Sequence, residues 1–196
     1  MNLSAIPLRR LVGWAVVALG SVATTAAISP ATAQQRVTAS PPVLVTSIGQ
    51  SLDAFQVQLT TRRSGIEFEY DARAEVDKLA KAKTVFLAVG ASLKGFGDAG
   101  IGIKDETART TRLLDEAKKR GIFVVVLHVA GEERRDALTN QLIDVAAPRA
   151  QYLIVRDDSD ADGKFARIAK AGNIPLVVFS TPVELLDRLK ALFPSG

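Results

Sequence analysis

From Val43 onward the chain alternates short runs rich in Val, Ile and Phe with segments of helical periodicity, and it does so with little interruption. No other feature restricts the fold as much. The strand-like runs are residues 43–48, 66–70, 84–89, 122–129, 152–155 and 176–179. Short apolar runs of this kind, bounded by turn residues, read as buried strands. Helical patterns lie between and after them, at residues 52–63, 74–82, 105–120, 132–146, 163–171 and 182–192. Their ends carry stop and start signals. Lys118-Lys119-Arg120-Gly121 places cations and then a C-cap glycine at one helix end. Gly172-Asn173 closes another, and Ser180-Thr181-Pro182 opens the last with an N-cap residue and a proline at the first helical position.

Strand and helix in alternation imply parallel strands joined by crossovers, with helices on both faces. Phe123-Val124-Val125-Val126-Leu127 has no polar face, as a central strand covered on both sides requires. Residues 66–70 alternate Ile, Glu, Phe, Glu and Tyr, so that strand belongs at a sheet edge. The expected fold class is α/β: one three-layer, doubly wound domain over residues 43–193. Its sheet is mainly parallel, of five to six strands, Rossmann-like or flavodoxin-like. The chain has no cysteine, which removes disulfides, thiolate nucleophiles and thiolate metal sites. A domain this long buries enough surface to need no such staples.

Residues 1–33 carry a different signal. Arg9 and Arg10 precede an apolar stretch over 11–28, and Pro30 with Ala31-Thr32-Ala33 supplies a small-x-small cleavage site before Gln34. This reads as a cleavable signal peptide, followed by a polar leader over 34–42. A membrane anchor is the competing reading. Gly20, Ser21, Thr24 and Thr25 dilute the run, and no basic stop-transfer cluster follows it. Absence of cysteine excludes lipoprotein acylation. Leu8 and Val12 depart from the twin-arginine pattern around Arg9-Arg10, which favours the general secretory route. The expected destination is the periplasm, with no membrane anchor after cleavage. Loss of this segment lowers the formal net charge from +4 to +2. With few aromatic residues and no basic-aromatic stripe, nothing points to nucleic acid.

In a fold of this class ligands bind at the carboxyl ends of the strands, near a topological switch point. Those ends carry Gly49-Gln50-Ser51, Gly90-Ala91-Ser92-Leu93-Lys94, His128 with Gly131-Glu132-Glu133-Arg134-Arg135, residues Arg156 to Asp160, and Ser180-Thr181. Residues 90–102, with five glycines, read as a long mobile flap beside the crevice, whose backbone N–H groups approach a ligand while Lys94 adds a cation. Gly95-Phe96-Gly97-Asp98-Ala99-Gly100 matches a dinucleotide fingerprint by letter only. It follows the third strand and does not lead directly into the helix expected at Asp105.

Ser92 and His128 are weak catalytic candidates. Gly90-Ala91-Ser92 has Lys94 where a nucleophile elbow has glycine, and the sole histidine lies at the end of the very next strand. Capping by Ser92 and packing by His128 are the structural alternatives. Asp158, Asp160 and Asp162 with Gly163 repeat the first half of a calcium loop, but Ala169 stands at the closing glutamate position. An acidic helix N-terminus accounts for the same residues. No metal and no cofactor is therefore expected.

Taken together, Gly49-Gln50-Ser51 with Asp53, Gly90-Ala91-Ser92 with Lys94-Gly95, Leu127-His128 with Arg134-Arg135, and Asp162-Gly163 resemble an uncharacterised family of predicted exported bacterial α/β proteins. The resemblance covers roughly residues 43–179 and implies compartment and fold, with no catalytic residue. The expected function is binding of a small polar or anionic solute by Gly49, Gln50, Ser51, Gly90, Ser92, Lys94, His128 and Arg134. A metal-independent hydrolase using Ser92 or His128 is one alternative. A non-catalytic partner of a membrane transporter or envelope complex is another.

Overall fold

The structure, a computed structural model, describes residues 38–193. The expected signal segment and the start of the polar leader lie outside the described residues. Six strands form one sheet: β1 (Val43–Ile48), β2 (Phe68–Tyr70), β3 (Thr84–Val89), β4 (Phe123–His128), β5 (Tyr152–Arg156) and β6 (Leu176–Phe179). Their order is β2-β1-β3-β4-β5-β6, and every neighbouring pair is parallel. The chain winds one way from β1 to β2 and the other way from β3 onward. The switch point therefore falls between β1 and β3. The polar-faced strand β2 is at the edge.

The period of two along each strand sorts its side chains into two cores. Leu44, Ile48, Val85, Leu87, Val124, Val126 and Leu153 face one side. There they meet helices α2 (Leu93–Ala99), α3 (Ile103–Arg120), α4 (Ala137–Ala146) and α5 (Lys164–Gly172), through Phe96, Leu113, Leu142 and Phe165. Val43, Val45, Phe86, Ala88, Val125, Leu127 and Ile154 face the other side. They are covered by α1 (Asp53–Ser64) and α6 (Pro182–Leu192), through Ala54, Val57, Leu185 and Leu189. This is the expected three-layer α/β fold, with the larger helical layer on one face. Among the described residues no helix is long and apolar enough to cross a membrane.

Three local expectations change. Residues 90–102 are not a flap, because they contain α2. The Ser92 hydroxyl accepts from the Gly95 N–H as N-cap, Phe96 is buried, and Gly100 ends the helix in the left-handed region. The cap and the buried ring outweigh the poor helix propensity of Gly95 and Gly97. Residues 74–82 contain only a 3₁₀ helix at Val76–Ala80. Glu132–Arg134 is a separate 3₁₀ turn, and α4 starts after it with Asp136 as N-cap, accepting from the Thr139 N–H. The side chain of Asp136 thus satisfies a donor at the start of a helix shorter than the expected 132–146.

Burial on both faces makes the middle of the sheet intolerant of lost volume. Leu87→Ala in β3, fully buried, is expected to cost about 2–5 kcal/mol. Val183→Ala at the exposed start of α6 should stay within about 0.5 kcal/mol. Urea denaturation of the two variants measures both.

Candidate functional site

At the switch point the turns after β1 and β3 lock onto each other. Beyond the last strand pair, Gln50 and Ala91 form an antiparallel bridge. The Gly90 N–H donates to the Ile48 carbonyl at 2.9 Å, and the Ser92 N–H to the Gly49 carbonyl at 2.8 Å. The Ala91 N–H reaches the Thr139 hydroxyl of α4 at 2.9 Å. Glycine is needed where the two turns touch. A Cβ on Gly49, whose φ is 109°, would lie 2.3 Å from the Gly90 carbonyl oxygen. One on Gly95 would lie 2.0 Å from the Gln50 carbonyl oxygen. The glycines expected to let backbone N–H groups approach a ligand thus admit the chain's own backbone. Those of the fingerprint letters sit in and at the end of α2.

Gln50 itself holds a φ of 57°, in the left-handed region that a non-glycine residue seldom occupies. A buried ion pair from α3 keeps it there. Glu106 Oε1 accepts from the Gly49 N–H at 2.7 Å, from Gln50 Nε2 at 3.2 Å and from Arg109 Nη2 at 2.7 Å. Arg109 Nε donates to Glu106 Oε2 at 2.9 Å, Nη1 to the Ala74 carbonyl at 2.7 Å, and Nη2 also to the Ser47 carbonyl. Burial works to raise the Glu106 carboxyl, but the bonds and charge of Arg109, with the Gly49 N–H and the Gln50 amide, hold it below its ordinary value.

Beside this turn opens a cleft of about 370 Å³. Gln50, Arg73, Glu75, Ile101, Asp105 and Arg112 line it, together with the buried Glu106 and Arg109. Arg112 pairs with Glu75 at 3.2 Å. Arg73 Nη2 donates to the Ala99 carbonyl at 3.1 Å and has no carboxylate partner among the described residues. Asp105 turns back to accept from the Gly102 N–H at 2.9 Å. Two guanidinium groups therefore stand at the mouth of a cleft of small-solute size.

The expected site residues divide. Gln50 lines the cleft, with Gly49 and Ser51 in the same turn and Gly90 across from it. Ser92 caps α2, and Lys94 is exposed on the first turn of that helix. Arg134 is exposed on the 3₁₀ turn. Neither cation lines the cleft. His128 is fully buried, with Nδ1 2.8 Å from the Val89 carbonyl and Nε2 3.3 Å from the Gly131 carbonyl, and it stacks on Phe165. Burial lowers its pKa; the two carbonyls and Asp53 counter this only in part. A nucleophile and base need a shared hydrogen bond. Here the Ser92 hydroxyl and both His128 nitrogens are each within reach of backbone partners instead.

The three aspartates of the calcium-like run face separate partners. Asp158 pairs with Arg156, Asp160 accepts from the Phe165 and Ala166 N–H groups, and Asp162 accepts from Lys164 N–H and Arg135. Among the described residues no group of three acidic or histidine side chains is placed to hold a metal ion.

Glu106, Arg109, Arg73 and Arg112 were missed as site residues. For the first two a signal existed: Glu106 and Arg109 share a helix face with Thr110, Leu113 and Ala117, so two opposite charges three residues apart sit on an apolar stripe. Asp53 was not assigned to the site either. It begins α1 with only 6% exposure, and its Oδ2 has no hydrogen-bond partner. Burial raises its pKa; the Ser51 hydroxyl and the charges of His128 and Arg134 offset part of that.

A raised folded pKa stabilises fully below the ordinary value of 3.8 and is lost as pH rises through the folded value. Ionised Asp53 therefore works against folding at neutral pH. Asp53→Asn is expected to raise the melting temperature at pH 7, with the advantage shrinking as the pH falls toward 4; thermal melts across that range measure it. No curated protein and no solved structure matches the chain significantly. A family model described as a domain of unknown function, DUF6305, matches residues 40–193, the whole span of the sheet and its helices, and the chain belongs to that family.

Proposed function

We propose that this chain is an exported protein that binds a small polar or anionic solute in a cleft at the carboxyl ends of β1 and β2. The cleft beside Gln50 carries this reading. It lies next to the switch point and has the volume of a small-solute site, with Arg73 and Arg112 at its mouth. A carboxylate or phosphate oxygen fits a planar guanidinium fork better than an ammonium. Arg73 is the first candidate to receive it, since no carboxylate pairs with it among the described residues. The Gln50 amide lies alongside for a polar group. The strain at Gln50 adds support, since left-handed non-glycine residues persist where surroundings over-determine them, and such residues cluster at ligand sites. The export-signal reading of residues 1–33 places the protein where it meets external solutes.

The test is thermal stabilisation against a panel of carboxylates, phosphates and sugars. A ligand of the native state alone adds about 2.7 kcal/mol at a hundredfold excess over its Kd. At least one anionic member is expected to raise the melting temperature. The Arg73→Ala/Arg112→Ala double variant should lose most of that shift while melting normally without ligand, because both side chains are exposed. A panel with no stabilising member sinks the proposal.

A further inference from the structure

We infer that Glu106 and Arg109 are positioning residues for this cleft, holding the turn after β1 in the strained form that presents Gln50. The inference rests on the solute-site reading given above. The pair is buried, with Glu106 fully covered and Arg109 5% exposed. Desolvation of two charges offsets much of their attraction, so a buried pair is poor evidence of a stability role and fits a register or switch role better. Its bonds show what it registers. Arg109 ties the Ser47 carbonyl of β1 to the Ala74 carbonyl after β2, and Glu106 holds the Gly49 N–H and the Gln50 amide.

The short edge strand makes this necessary. β2 pairs only with Val43 to Val45, so β1 runs past its neighbour. The Ser47 N–H finds the Ala72 carbonyl at 3.3 Å, and Arg109 supplies a donor to the Ser47 carbonyl. Gln50 Nε2 also reaches the Ala72 carbonyl, at 3.4 Å. The turn after β1 and the segment after β2, two walls of the cleft, thus meet at one pair of side chains from a third element, α3. Without the pair, Gln50 is free to leave the left-handed region, and its side chain leaves the cleft with it.

Amide hydrogen exchange on the whole protein tests this without a ligand. In Glu106→Gln, exchange at Gly49 and Ser92, whose N–H groups bond to Glu106 and to the Gly49 carbonyl, is expected to quicken about tenfold more than at Leu87 and Val126 in the core. Adding Gln50→Gly removes the strain and should restore protection at Gly49 and Ser92. A pair serving only global stability quickens all these amides alike and gains nothing from the glycine, and either result overturns the inference. Arg109→Lys, which keeps the charge and loses the fork, carries the same expectation should Glu106→Gln not fold. Any solute that stabilises the wild type should bind Glu106→Gln about tenfold more weakly. If no solute stabilises the wild type, the solute-site reading fails, while the exchange pattern still decides whether the pair positions the turn.

Discussion

Every strand from β1 to β5 that crosses the middle of the sheet is covered on both faces, and the rest of the molecule follows from that constraint. A doubly covered parallel strand leaves no room for charge along its length, so polar chemistry is driven to the strand ends. At those ends the backbone groups beyond the last ladder bond still need partners. The turns after β1 and β3 answer this by bonding to each other, through glycines small enough to let the two backbones touch. A Cβ at Gly49 or Gly95 would strike a carbonyl oxygen, so these positions are set by close approach as much as by dihedral freedom.

Where β1 outruns its short neighbour, the same need is met by charge. Arg109 donates to two carbonyls and Glu106 accepts from a backbone N–H, so an ion pair stands in for a missing stretch of ladder. Its carboxylate stays ionised because four donors surround it. Asp53, on the other face of the sheet, shows the opposite balance. It is as buried as the pair's arginine yet has one oxygen without a partner, and its ionised form is disfavoured. Two buried carboxylates beside the same turn, one near it in sequence and one brought from α3, thus respond to burial in opposite directions, and the difference lies in their donors. Groups disfavoured in this way are costly to keep and concentrate at functional sites.

The fold was legible because burial writes itself into periodicity. The unbroken apolarity of β4 marked a central strand, and the Glu67 and Glu69 alternation marked the edge. The errors came where a single tertiary contact outweighed local propensity. Five glycines between Gly90 and Gly102 suggest a flap, yet one capping hydroxyl on Ser92 and one buried ring on Phe96 make a helix of the first half. The site was legible only in part. Gln50 could be placed at a strand end from its position after the first strand, and the strand order then puts that end at the switch point. Lys94, His128 and Arg134 occupy strand ends equally well in sequence, but an end position does not say which way a side chain turns.

The sequence by itself determined the class of fold, the edge position of β2, the absence of thiol chemistry and the strand-end location of polar residues, because hydrophobic period and composition are local properties of the chain. Only the tertiary structure decided which polar residues meet. Glu106 and Arg109 stand more than fifty residues from the turn they hold, and Arg73 and Arg112 come from separate segments to one cleft. Contacts of that range depend on how far β1 runs past β2 and on where α3 crosses the sheet, and no local pattern encodes either.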